Sequence, residues 1–149
     1  MILPDFKAFP RVGRILGVDW GLRRIGVAVS DPMRDFVFAR DAIVMPRGAV
    51  NHAQMVAELA HAEGVAGIVV GMPLYNDGAV SDTSRQVIAF LDDLSRVTDL
   101  PICTIEENLT SATAQENMGR VRVNDLKQKL DSESAKVILE NAISMIKRA

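Results

Sequence analysis

One cysteine stands in the whole chain, Cys103, so no internal disulfide can form. It sits in the apolar run Leu100-Pro101-Ile102-Cys103. A small core residue is expected there rather than a reactive thiol, because no histidine lies nearby to activate it. No apolar run approaches the roughly 20 residues that a membrane-spanning helix needs. Met1 to Phe9 alternates apolar and polar residues and has no apolar signal core. Without a disulfide framework or an export signal, a cytoplasmic location is expected, with no membrane partner. Positive charge is not in excess either: 17 Lys and Arg against 19 Asp and Glu give a net charge of −2. That excludes a protein that coats nucleic acid through bulk charge, but not an enzyme with a local basic strip. Lys and Arg do cluster at Arg23-Arg24 and between Arg120 and Lys129; solvated surface charge is the plainer explanation of both, and explains the second equally well. Histidine is scarce. His52 and His61 fall on one expected helix, far in sequence from the acids discussed below, and read as solvated helix residues. There is no zinc motif, P-loop or Ser-His-Asp arrangement.

What is present is an ordinary globular composition: 149 residues, 48% hydrophobic and 24% charged. A chain of this length can bury a real core unaided. No repeat, low-complexity tract or composition break divides it, so residues 1–149 read as one domain with an irregular lead-in over residues 1–12. Arg14 to Asp19 reads as a strand, Trp20 to Arg24 as a turn around Gly21, and Ile25 to Ser30 as the second strand of a hairpin ended by Asp31-Pro32. Phe36 to Val44 is a third strand. Val50 to Glu63 places Ala53, Val56, Ala57 and Ala60 at helical spacing, and Gly64 closes that helix. Val65 to Val70 is a short continuous apolar run, as in a strand buried on both faces. A loop follows over Gly71 to Gly78. Asp82 to Val97 is amphipathic, with Val87, Ile88, Leu91 and Leu94 on one face. Pro101 to Ile105 is another buried strand. Thr110 to Met118 reads as a helix and Asp131 to Lys147 as a longer one. Three antiparallel strands followed by βαβ crossovers imply a mixed α/β sheet with helices on both faces.

In such sheets ligands bind beyond the carboxyl ends of the parallel strands. The acids at element ends therefore matter. Asp19 ends the first strand, Glu106 and Glu107 follow the Pro101–Ile105 strand, and Asp131 opens the last helix. If the first and last parallel strands are neighbours, Asp19 and one glutamate converge, and the helix bearing Asp131 can lie across them. Carboxylates without cysteine or histidine suit a hard cation such as Mg2+ or Mn2+, which performs phosphoryl chemistry by orienting water and stabilising the leaving oxygen. Each acid also has a plainer explanation. Asp131, before Ser132-Glu133-Ser134, could be a helix N-cap. Asp19 could start the hairpin turn, and Glu106 and Glu107 could be surface acids.

The residues themselves resemble a known family. The stretch Gly17-Val-Asp-Trp-Gly-Leu-Arg-Arg-Ile-Gly-Val-Ala-Val-Ser-Asp31 resembles the opening motif of the YqgF/RuvX family, bacterial relatives of Holliday junction resolvases described as pre-16S rRNA nucleases. Val69-Val-Gly-Met-Pro-Leu-Tyr-Asn-Asp-Gly78 resembles its second motif, Glu106-Glu-Asn-Leu-Thr-Ser-Ala-Thr-Ala114 its third, and Leu130-Asp-Ser-Glu-Ser-Ala-Lys-Val-Ile-Leu139 its last. The four blocks keep the family's order from Arg14 to about Ile143. The resemblance implies an RNase H-like fold and metal-binding catalytic carboxylates at Asp19, Glu107 and Asp131. The family glycines correspond to Gly17, Gly21, Gly26, Gly71 and Gly78. Gly21 would permit a tight or positive-φ turn beside the acid, and Gly71 a close approach of substrate backbone. Asn76 and Asp77 would line the loop beside the cleft. One departure stands out: the usual Asp-Glu-Arg of the third motif is Glu106-Glu107-Asn108, which replaces a natural phosphate contact with a neutral amide. Nucleic-acid contacts would then fall to Arg23, Arg24, Asn76, Asn108, Arg120, Arg122, Lys127 and Lys129.

The function implied is a metal-dependent endonuclease, acting on pre-16S rRNA at its 5′ end in ribosome biogenesis or on Holliday junctions. The expected partner is nucleic acid, RNA ahead of DNA, and a homodimer is compatible with symmetric cutting. Two other classes compete. A non-catalytic RNA- or protein-binding factor is favoured by Asn108. A phosphotransferase of the actin and sugar-kinase type is suggested by Asp19-Trp20-Gly21, although such enzymes need two domains around the nucleotide.

Overall fold

The computed structural model describes residues 1–45, 51–73, 82–107 and 123–149, and for residues 82, 83, 107 and 123–132 the backbone alone. Among the described residues five strands and three helices follow in the order β1 (Ile15–Asp19), β2 (Arg24–Ser30), β3 (Val37–Val44), α1 (His52–Glu63), β4 (Gly67–Pro73), α2 (Asp82–Val97), β5 (Ile102–Glu107) and α3 (Val123–Arg148). The sheet order is β3-β2-β1-β4-β5. The first three strands are antiparallel, while β4 runs parallel to both β1 and β5. The expected mixed sheet is therefore present.

The strand pattern sorts side chains between two layers. Leu16, Val18, Val27, Ile68, Val70 and Ile102 point to one face and pack with Val56, Ala60, Val87, Phe90 and Leu94 of α1 and α2. Ile15, Ala28, Val69, Cys103 and Ile105, the alternate residues, point to the other face and meet Ala135, Ile138, Leu139 and Ala142 of α3. With helices on both sides, these strands need apolar residues at consecutive positions, which is why they read as runs rather than alternations. The α3 layer lies very close to the sheet. A Cβ on Gly17 would stand 2.8 Å from Leu139 Cβ and 3.0 Å from the Ala135 carbonyl oxygen.

Several element boundaries differ from the sequence expectation. β4 runs on to Pro73 and β5 to Glu107, so Gly71 and both glutamates belong to strands rather than to the loops beyond them. The last helix starts at Val123, so Asp131 lies well inside it and does not open it. Ile88 is exposed, and Phe90 takes its place on the inward face of α2. Gly64 closes α1 as expected, with φ 65°. The helix expected over Thr110 to Met118 lies outside the described residues.

The lead-in is irregular, as expected, yet it belongs to the core. Phe6 and Phe9 are buried and pack edge to face, 5.8 Å between centroids. The Phe9 ring occupies the space beside Gly67, where a Cβ would lie 2.6 Å from it. Ile2 bridges to Ile102, which covers the outer edge of β5 with backbone hydrogen bonds. Cys103 is buried there and donates to the Asp5 carbonyl oxygen at 3.0 Å. Burial, with Asp5 nearby, pushes its thiol up to about 11, so it is the inert core residue expected.

The turn after β2 is held by Asp31, whose Oδ1 accepts from the N–H groups of Phe36 (2.7 Å) and Asp35 (2.8 Å). These bonds, that of Phe36 first, hold its carboxyl below the usual value.

Candidate functional site

All three parallel strands end at one edge of the sheet. Asp19 is the last residue of β1 and stands one position beyond the Val18–Val70 pair. Gly71 is the next residue on β4 and pairs with Ile105, and Pro73 pairs with Glu107. Strand alternation puts Asp19, like Ile15, on the face covered by α3. Asp19 is half-buried. Glu107 comes two positions after Ile105, a residue of the α3 layer. Asp131 comes four positions before Ala135, whose carbonyl lies against Gly17. The side chains of Glu107 and Asp131 lie outside the described set.

β1 and β5 are not neighbours, so the condition for direct convergence of Asp19 and a glutamate is not met: β4 lies between them. Two strand spacings separate Asp19 from the β5 edge, roughly 10 Å. Carboxylates that far apart cannot bond one another directly, but cations can sit between them. The residue of β4 in the gap is Gly71, which adds no side chain. Among the described residues no group of three His, Cys, Asp or Glu forms a metal cluster. The donor chemistry of the edge is nonetheless oxygen only, which fits a hard divalent ion.

The turn after Asp19 is tight because Gly21 allows it. A Cβ there would lie 2.2 Å from the Arg24 carbonyl oxygen. The requirement is close backbone approach, and the positive φ allowed for in the sequence reading is absent: only Gly13, Gly64 and Arg34 have positive φ among the described residues. Gly26 pairs with Asp19 across the hairpin. Arg24 begins β2 two positions before Gly26, on Asp19's side of the sheet. It is half-buried, and its Nε has no hydrogen-bond partner. Arg23 is exposed. Lys127 and Lys129 lie in α3, with side chains outside the described set. Asn76, Asp77, Gly78, Asn108, Arg120 and Arg122 lie outside the described residues.

His52 is where the sequence reading fails most clearly. It is half-buried rather than solvated, and its Nε2–H donates to the Leu22 carbonyl oxygen at 2.8 Å. Its ring faces Trp20, the residue after Asp19, at 5.7 Å between centroids. Linear distance from the acids concealed this proximity, because the 22–52 contact is made only when α1 folds back across the hairpin.

The chain matches the family model described as "RuvX: Holliday junction resolvase" over residues 13–145. It belongs to the RuvX family. Relatives include the "Putative pre-16S rRNA nuclease" of Maridesulfovibrio salexigens, 36% identical over 85% of this chain and 95% of that one. The protein of the same name from Rhodopirellula baltica is 37% identical over 89% of this chain and 78% of that one. Among solved structures, Thermus thermophilus RuvC in complex with a Holliday junction aligns over 91% of this chain and 97% of that one, with a TM-score of 0.57 and 9% identity. A second T. thermophilus RuvC structure gives a TM-score of 0.51 over 91% of this chain and 95% of that one. These likenesses establish the RNase H-like fold. The RuvX family is a nuclease family, so the chain is a hydrolase acting on nucleic acid, and nucleases of this kind generally depend on a divalent metal. Among the described residues no helix is long and apolar enough to cross a membrane.

Proposed function

We propose that this RuvX-family chain is a metal-dependent endonuclease built as a single RNase H-like unit over residues 1–149. In this reading it trims the 5′ end of pre-16S rRNA in the cytoplasm. The observation that supports the site is the common sheet edge: Asp19 ends β1 and Glu107 ends β5 on either side of β4, and Asp131 lies one helical turn before Ala135, which packs against Gly17. Asp19, Glu107 and Asp131 would hold Mg2+ or Mn2+ across the gap left at Gly71. The metal, when bound, supplies a nucleophilic water and charge stabilisation at the leaving oxygen. Asp19 is fixed for that task by the Gly26 pairing and the Gly21 turn. Arg24, on the same side of the sheet, would neutralise a phosphate beside the ion, and Arg23 would extend the path toward solvent. Asn76, Asn108, Arg120, Arg122, Lys127 and Lys129 are assigned to the substrate path on sequence alone.

RNA is preferred to DNA as substrate because the relatives' names specify rRNA. The family description specifies Holliday junctions, which would need a homodimer cutting two strands. Labelled pre-16S-like RNA, matched DNA and a four-way junction in Mn2+ and in EDTA, with Asp19→Asn beside wild type, test the reading. Metal-dependent cutting of RNA, lost by at least ~100-fold in the variant with an unchanged thermal midpoint, is expected. Junction cutting alone would transfer the assignment to recombination. Undiminished cutting by Asp19→Asn would remove the metal role.

A further inference from the structure

Beside Asp19, on the opposite face from α3, the chain forms a hollow of about 200 Å3 between the β1–β2 turn, α1 and α2. Three aromatic rings, packed on one another through Trp20, contribute to its lining. Trp20 lies 5.7 Å from the His52 ring at 38° and 6.4 Å from the Phe90 ring at 45°. His52 is pinned by its bond to the Leu22 carbonyl, so its ring cannot swing into the space. Besides Phe90, α2 lines the hollow with Gln86, Ala89 and Asp93, spaced so that successive turns present an amide, a small residue and an acid. Ala89 leaves the room, while Gln86 and Asp93 are exposed at the rim. The indole Nε1 of Trp20 is buried with no hydrogen-bond partner, a donor left unsatisfied in the wall.

We infer that this hollow receives one unstacked nucleobase of the substrate, next to the phosphate that would lie at the metal edge beside Asp19. The inference rests on the nuclease reading and adds to it a specificity subsite. The volume suits a single planar heterocycle and is too small for a base pair. Aromatic walls stack any base, and single-stranded RNA is read through unstacked bases on aromatic rings. The Asp93 carboxylate repels a phosphate, so the ring enters and the backbone stays outside. The same carboxylate accepts hydrogen bonds, which selects a base with paired N–H donors on one edge. Guanine meets that condition. Uracil, whose single N–H is flanked by two carbonyls, does not. Trp20 directly follows Asp19 in the chain, so a base seated here fixes which phosphate reaches the metal edge.

Trp20 is the chain's one tryptophan, so its fluorescence reports the hollow directly. The full chain in EDTA is titrated with dye-labelled RNA pentamers that carry one central guanine, one central uracil or no base in an otherwise abasic backbone. Saturable quenching by the guanine pentamer, with dissociation at least ~5-fold weaker for uracil and weaker again for the abasic strand, is expected. Asp93→Asn should erase the guanine preference, while abasic binding, read by dye anisotropy, holds or tightens because one repelling charge is gone. Equal quenching by the abasic strand, or binding by anisotropy with no Trp20 response, overturns the inference. Cleavage of a longer RNA in Mn2+ is followed in parallel. Cutting without a Trp20 response removes the base subsite alone. No cutting and no binding removes the nuclease reading with it.

Discussion

Gly21 shows how a single residue supports the site without touching any ligand. Its φ is ordinary, yet a β-carbon, fixed by its own backbone, would meet the Arg24 carbonyl oxygen, itself a backbone atom, at 2.2 Å. Gly21→Ala must therefore open the turn between Asp19 and Arg24. Overpacking of this kind costs about 1–3 kcal/mol. A lower urea midpoint is expected, together with a loss of metal-dependent cleavage larger than the fall in folded fraction, because the turn also fixes Asp19 and Trp20. A wild-type midpoint would mean the turn relaxes without strain. At this scale the sequence was readable where chemistry is local. Asp19 stands at a strand end followed by Gly21, and Cys103 sits in an apolar run; both are where they were expected. His52 was not readable, since its burial comes from Trp20, brought to it from more than thirty residues away in the chain by the packing of α1. Ile88 failed for a related reason: helical spacing allowed either Ile88 or Phe90 to face inward, and packing against Trp20 favours the aromatic.

Among the elements, α3 carries the largest revision. Asp131-Ser132-Glu133 looks like the start of a helix, yet the helix begins at Val123. This changes what Asp131 can be. An N-cap Asp replaced by Ala costs typically ~1 kcal/mol. An interior Asp replaced by Ala gains helix propensity, by up to about 0.7 kcal/mol. Asp131→Ala is therefore expected to hold or raise the thermal midpoint while abolishing Mn2+-dependent cleavage. A lowered midpoint with retained cleavage would restore the capping role and dismiss the metal role. The strands were easier to place than their ends. β4 and β5 carry continuous apolar runs that mark buried strands, but pairing between them extends through Gly71-Met72-Pro73 and Glu106-Glu107, residues whose composition alone signals a loop. Partner strands supplied the order that local propensity did not. The lead-in was opaque for the opposite reason: Phe6 and Phe9 have no period, so nothing in their spacing announces that they complete the α3 layer.

For the molecule as a whole, the mixed sheet and its helices on both faces followed from the run of elements, because short connections and βαβ units leave few topologies, whereas the place of β4 between β1 and β5 did not. Charge is the property that neither topology nor composition resolves. A net charge of −2 means that long-range attraction contributes little to binding, so affinity has to come from a few local phosphate contacts. The candidates are Arg23 and Arg24 at the hairpin, with Arg120, Arg122, Lys127 and Lys129 from the later segment. Six contacts on single-stranded RNA would give a log–log salt slope of about −4, at ~0.7 per contact. A shallower slope would mean that part of the later cluster is only solvated surface. The same measurement decides the significance of Asn108. If that position faces the phosphate path, Asn108→Arg adds one contact, steepens the slope by about 0.7 and tightens binding at low salt, with the gain fading as salt rises. An unchanged slope would place residue 108 off the path and shift the cost of the missing arginine from binding to nothing at all. A tighter complex without a steeper slope would instead indicate that the guanidinium stacks on a base, a contact that salt does not screen.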